Sequence, residues 1–259
     1  MSIATDFHSH VSRTSADVMV QAARDKELRV FGLSEHIFQM SEMRPTLGHM
    51  RLEGPPLSFA AYREGVQEAA ERAQLDARLG LEVDFIPGKN EQIHEAIQRY
   101  QWDFLIGSIH EVDGLFFEDE DLRWDREEGE ALWLRYLVLL REAVNSGYFQ
   151  VVSHPVRMAR QNPHVPASLD EHLEHLAADA TARNVALELN GYDMRTYPHL
   201  VRRVARACAR HGTPISVSSD AHRPQDIAGK HAETEAIMRE AGLTHIRTWK
   251  QGTPSDTPI

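Results

Sequence analysis

The chain has 259 residues, 42% hydrophobic and 26% charged, which excludes a disordered or fibrous polymer and leaves room for one large α/β barrel or two ordinary domains. With 28 Lys and Arg against 39 Asp and Glu, the formal charge is -11, so a duplex phosphate backbone is repelled on average and small substrates are favoured over nucleic acid. Cys208 is the single cysteine, which excludes an intramolecular disulfide and favours a reducing, cytoplasmic setting.

The opening MSIATDFHSH has neither a basic nor an apolar leader region. In chain order, a short apolar run at 3–10 predicts a first buried strand and an amphipathic stretch at 15–27 a first helix. Strands then follow at 30–36 (VFGLSEH), 77–84 (ARLGLEVD) and 103–110 (DFLIGSIH), separated by helices at 57–75 and 90–99. After a helix at 127–146 come strands at 150–155 (QVVSHP), 185–190 (VALELN) and 214–222 (PISVSSDAH), with helices at 168–183, 196–211 and 232–242. The stretch LWLRYLVLL is interrupted by Arg135 and is too short to span a bilayer, so no membrane partner is expected. Cys208 lies in the helical run 204–211 and reads as a small apolar filler.

Seven β-then-α units without a midpoint linker imply parallel crossovers and one closed or nearly closed, TIM-barrel-like domain over 1–250, whose site lies at the C-terminal strand ends. An open doubly wound sheet is the alternative, but it gathers its ligands at one switch point. Two connections are long: 39–56, with Arg44, His49 and Arg51, and 111–124, with aromatic and acidic residues. Both are expected to overhang the mouth, as functional loops or as solvated surface. The tail at 251–259 reads as flexible.

The 15 histidines concentrate at strand ends. His8 and His10 form an H-x-H pair on an extended segment, where residues i and i+2 share a side and can grip one ion. His36, Glu82, His110, His154, Asp220 and His222 end later strands at the same depth. Imidazole with carboxylate and no thiolate suits zinc, manganese or iron in an open, catalytic site. Eight donors exceed what one tetrahedral ion uses, so at least two ions are expected, with Glu82 best able to bridge them.

The ordered set D-F-H-S-H, G-L-S-E-H, G-L-E-V-D, I-G-S-I-H, S-H-P, L-E-L-N and S-S-D-A-H resembles the polymerase and histidinol phosphatase (PHP) family over residues 5–250, and within it the histidinol-phosphatase branch. The resemblance implies a distorted (β/α)7 barrel with two or three divalent ions that hydrolyses a small phosphorylated substrate. It implies one ion held by His8, His10, Glu82 and Asp220, a second by Glu82, His110 and His154, and a third by His36, His222 and one ligand from the segment after the H-x-H pair. That branch usually has a histidine where this chain has Ala16, so Asp17 either substitutes as ligand or caps the nearby helix.

Asp220, His222 and Glu82 are expected to carry the chemistry, with a metal-bridging hydroxide as nucleophile on histidinol phosphate. A nucleotide phosphoesterase or exonuclease acting on phosphodiesters is the alternative. The segment NGYDMR departs from the branch pattern, yet Arg195 matches its arginine and is expected either to fork onto phosphate or to form a surface ion pair, as are Arg157 and Arg160. Glu188 and Asn190 are expected either to orient ligands or to satisfy hydrogen bonds at the barrel mouth. His94, His172, His175, His199, His211, His231 and His245 read as ordinary helical or surface residues.

Overall fold

A computed structural model describes residues 3–119 and 122–259; positions 120 and 121 of the second long loop lie outside the described residues, as do positions 1 and 2. The seven apolar runs form one parallel sheet: β1 (Thr5–Asp6), β2 (Val30–His36), β3 (Asp76–Asp84), β4 (Phe104–Ser108), β5 (Val151–Val152), β6 (Ala186–Asn190) and β7 (Ile215–Ser218). Neighbours in sequence are neighbours in space. The sheet closes where Ser9 bridges Ala221, with His10 N–H donating to Ala221 O at 2.9 Å. This backbone contact sets the H-x-H pair beside the D-A-H segment and makes a nearly closed barrel.

The connecting helices are α1 (Ala16–Asp25), α2 (Phe59–Ala73), α3 (Asn90–Ile97), α4 (Arg126–Asn145), α5 (Leu169–Arg183), α6 (Pro198–His211) and α7 (His231–Ala241). Their starts follow local capping chemistry: Ser15, Ser58 and Asp125 each accept a backbone N–H from the first turn. The expected helix at 196–211 begins at Pro198, after a separate turn Gly191–Thr196 capped by Asn190.

Strand periodicity layers the barrel interior. Phe104 and Ile106 of β4 share a face with Ser108, and Gly80 of β3 shares one with Glu82 and Asp84. The lower layer is apolar, with Phe7, Phe104, Ile106, Val151 and Ala186 buried together. The upper layer is polar, and Ser108 Oγ donates to Glu82 Oε1 at 2.7 Å. The two long loops meet above it through His49 Nε2 and Glu111 Oε2, 2.7 Å apart. Arg44 is structural, donating to the carbonyls of Phe38, Leu47, Gly48 and Met50.

The tail is not frayed. Thr253–Pro258 (β9) pairs antiparallel with His245–Lys250 (β8). Gln251 and Gly252 supply the two left-handed positions of a tight hairpin turn, and their N–H groups donate to Asp103 Oδ1 and O at 2.8 and 2.9 Å. The hairpin delivers Trp249 to the apolar layer, with ring centroids 5.9 Å from Phe7 and 6.3 Å from Phe104. Trp249→Ala is expected to cost about 3–5 kcal/mol by leaving a cavity there. Guanidinium denaturation checks it, and an unchanged midpoint would show that the hairpin is dispensable.

Candidate metal centre

The strand ends converge on Glu82. Its Oε1 faces His154 Nε2 at 3.1 Å and His110 Nε2 at 3.4 Å. Its Oε2 faces His36 Nδ1 at 2.6 Å, His8 Nε2 at 3.3 Å and His10 Nε2 at 3.7 Å. Asp220 Oδ1 lies 3.2 Å from His10 Nε2, 3.9 Å from His8 Nε2 and 3.6 Å from His222 Nδ1. The eight strand-end residues thus form one cluster, buried except for half-buried His222, whereas Asp17 is not brought to it. Asp17 sits exposed in the first turn of α1, paired with Arg72 at 2.7 Å, and the capping oxygen of that helix belongs to Ser15.

Carboxylates behind the histidines fix their direction. His8 Nδ1–H donates to Glu188 Oε1 and His110 Nδ1–H to Asp84 Oδ1, both at 2.8 Å, while His10 Nδ1 faces Glu35 Oε1 at 3.5 Å. The two hydrogen bonds leave Nε2 of His8 and of His110 directed into the cluster, the tautomer a ligating histidine needs. Glu35 and Asp84 were not expected from the sequence. Asp84 carried a usable signal, since it follows Glu82 by two residues on one strand and so shares its face. Glu35 is signalled only by the turn it ties down, accepting from Val11 N–H and Ser12 N–H at 2.7 Å each.

The donor chemistry fits divalent cations. His8 Nε2 and Glu82 Oε2 are buried and have no protein hydrogen-bond partner, which is costly unless a cation takes their lone pairs. Three groups of ligand atoms lie within 4.8 Å of one another: His10 with His36 and His222, His8 with His10 and Glu82, and His36 with Glu82 and His110. His154 and Asp220 also hold left-handed backbone, φ 31° and 56°. Strain of this kind persists where surrounding structure imposes it, commonly at functional sites.

Electrostatics agree with the geometry. Burial opposes ionisation of Glu82 and Asp220, but His8, His36 and His110 around the first, and His8 and Arg157 around the second, hold both well below the carboxylate range. Burial likewise disfavours a charged His8, yet Glu188, Glu82 and Asp220 outweigh it and raise its pKa well above 6.5; Glu82 and Asp84 do the same for buried His110. In metal-free protein, stabilisation from these raised histidines is complete below about pH 6.5 and is lost as pH climbs through their folded-state values. Chelated protein is therefore expected to melt at falling temperature as pH rises above about 6.5. Scanning calorimetry tests this, and a melting temperature that rises with pH above about 6.5 would contradict it.

The three arginines differ. Arg157 is buried, donating from Nε to Asp193 Oδ1 and from Nη2 to Asp220 Oδ2, each at 2.6 Å, and from Nη2 to Asn190 Oδ1 at 3.1 Å. It holds Asp220 in place, and these donors are not available to a phosphate. Arg160 pairs with Glu118, and Arg195 pairs with Asp226 at 2.8 Å. All three stand over the Tyr192 ring, 4.8 to 5.8 Å from its centroid. A cavity of about 360 Å³ lies between the arginines and Glu82, bounded also by Phe38, Phe116 and Glu118. No helix among the described residues is long and apolar enough to cross a membrane.

Comparison with known proteins adds four findings. The sequence model of the PHP domain family matches residues 3–191. A curated relative from Deinococcus radiodurans, described as a probable histidinol-phosphatase, is 29% identical over 232 residues, covering 86% of this chain and 85% of the relative. Among solved structures, a histidinol phosphate phosphatase from Lactococcus lactis, complexed with zinc, L-histidinol and phosphate, superposes with a TM-score of 0.81 at 19% identity, covering 98% of this chain and 99% of its own. A chain from the cryo-EM structure of archaeal ribonuclease P with mature tRNA gives 0.54 at 14% identity, covering 92% and 87%. At these identities the solved structures show a shared fold.

Proposed function

The chain belongs to the PHP domain family, and from that premise we propose that it is a metal-dependent phosphomonoesterase that converts histidinol phosphate and water to histidinol and phosphate. The observation that carries this reading is the division of Glu82, whose two oxygens face separate histidine sets. His8, His10, Glu82 and Asp220 would hold one divalent ion, and Glu82, His110 and His154 a second, drawn from zinc, manganese or iron. When bound, such ions supply a hydroxide at neutral pH and neutralise charge on the phosphoryl group.

The chain's own groups do the rest. Asp220, held at Oδ2 by Arg157, presents Oδ1 toward the cluster and orients the attacking water, whose proton passes to the histidinol oxygen as the phosphoester P–O bond breaks. His222 Nδ1–H donates to the backbone carbonyl of Asp220 at 3.2 Å and so steadies the turn that carries this carboxylate. Arg195 and Arg160 border the cavity and would leave their carboxylate partners to fork onto phosphate oxygens. The formal charge of -11 disfavours a polyanionic strand over a small phosphomonoester.

Steady-state hydrolysis across a phosphomonoester panel, with an oligonucleotide phosphodiester alongside, tests the proposal in protein loaded with manganese or zinc. Histidinol phosphate is expected to give the highest kcat/KM. Absence of phosphate release from every monoester would reject the reading, and faster cleavage of the oligonucleotide would replace it with the nuclease alternative.

A further inference from the structure

Three guanidinium groups crowd one phenol ring at the cavity. Tyr192 lies in the turn Gly191–Thr196 after β6, half-buried, and lines the cavity together with Arg157, Arg160 and Arg195. Its ring centroid is 4.8 Å from the guanidinium carbon of Arg157, 5.4 Å from that of Arg160 and 5.8 Å from that of Arg195. Like charges gathered so closely repel, so their neighbours must hold them there. Carboxylates do part of this: Arg157 is committed to Asp193 and Asp220, Arg160 pairs with Glu118, and Arg195 pairs with Asp226.

The ring differs from those carboxylates in what it takes from an arginine. A carboxylate occupies N–H donors, the same donors a phosphate needs, so the pairs of Arg160 and Arg195 must open before either can bind one. An aromatic face attracts the cation through its quadrupole and leaves the N–H groups free. Tyr192 is therefore the neighbour that both arginines can keep while a carboxylate is exchanged for phosphate. The backbone fixes where the ring sits: Tyr192 N–H donates to Asn190 Oδ1 at 2.8 Å, and that oxygen also accepts from Asp193 N–H and Arg157 Nη2, each at 3.1 Å. Gly191 lets this turn lie against the segment that carries Asp226, because a Cβ there would stand 2.4 Å from Gly229 O.

We propose that Tyr192 is a positioning residue for phosphate binding: its ring holds the guanidinium groups of Arg160 and Arg195 at the cavity while they exchange Glu118 and Asp226 for oxygens of the substrate's phosphoryl group. The inference rests on the phosphomonoesterase reading above. Until phosphate arrives, the two acids balance the arginine charge, and the ring keeps each cation from following its acid away from the cavity. The role needs an aromatic face and not the hydroxyl, so phenylalanine suffices and an aliphatic side chain does not.

Zinc-loaded wild type, Tyr192→Phe and Tyr192→Leu are compared by calorimetric titration with inorganic phosphate and by steady-state hydrolysis of histidinol phosphate. Circular dichroism and zinc content establish that each variant is folded and loaded. Tyr192→Leu is expected to bind phosphate about 10-fold more weakly and to raise KM by a similar factor, with kcat lowered less than about 3-fold, the pattern of a contact made equally in ground and transition states. Tyr192→Phe should stay within about 3-fold of wild type in phosphate affinity and KM. Wild-type phosphate affinity in Tyr192→Leu would overturn the proposal. So would a loss in Tyr192→Phe as large as in Tyr192→Leu, which would assign the effect to the hydroxyl, or a loss of zinc from Tyr192→Leu, which would make the ring a support of the metal centre through Arg157 and Asp220. Wild type that binds no phosphate and hydrolyses no monoester would instead remove the phosphomonoesterase reading itself.

Discussion

Glu82→Gln is expected to lower kcat on histidinol phosphate by about 1,000-fold or more while the barrel stays folded. Glutamine keeps the volume of a side chain that is 1% exposed and can still meet the hydroxyl of Ser108. What it removes is the charge shared by the two histidine sets. Holding ions that neutralise a phosphoryl group supplies several kcal/mol, and about 4 kcal/mol corresponds to about 1,000-fold in rate. Asp220→Asn should behave alike, because Asp220 Oδ1 faces His8 and His10. Steady-state kinetics with circular dichroism checks both variants. A near-normal rate in either would mean that these carboxylates only balance the charge of neighbouring histidines.

The second large effect is on stability. Arg157→Ala is expected to cost about 3–5 kcal/mol, the usual consequence of removing one partner of a buried ion pair. Arg157 is 4% exposed and joins Asp193 and Asp220, which are themselves buried. Burial already raises the pKa of Asp193, with the Arg157 charge holding it down, so without that charge Asp193 must take up a proton or stay uncompensated. Arg157→Lys should recover only part of the loss, since an ammonium cannot fork to Asp193, Asn190 and Asp220 together. Chemical denaturation gives the measurement. A cost below about 1 kcal/mol in Arg157→Ala would place the pair among weak, solvent-screened contacts.

Most of the barrel and the heart of its candidate site were legible in the sequence for one physical reason. In a parallel barrel the apolar run marks the strand, and the polar residue that ends it marks the mouth, so His36, Glu82 and His110 announced both at once. Legibility failed where position depends on long-range contact. Glu53 lies in a loop without periodicity, and only the seating of Gly54 on Ser12 brings it to His222. Asp17 had the right residue type and neighbourhood, but the first turn of α1 directs it outward to Arg72. Arg157 looked like a phosphate ligand because guanidinium suits phosphate, yet the fold surrounds it with Asp193 and Asp220. The tail looked disordered because its strand is largely polar and exposed, and its anchor, Trp249, comes from the strand before it.

The most direct measurement of the account is an anomalous difference map from crystals of metal-loaded protein, collected at the zinc, manganese and iron edges. It should show one peak about 2.0–2.2 Å from ligand atoms of His8, His10, Glu82 and Asp220. A second should lie about 3.5–4 Å away, beside Glu82, His110 and His154. A map with no peak between those residues, from protein that hydrolyses the phosphomonoester at full rate, would contradict it.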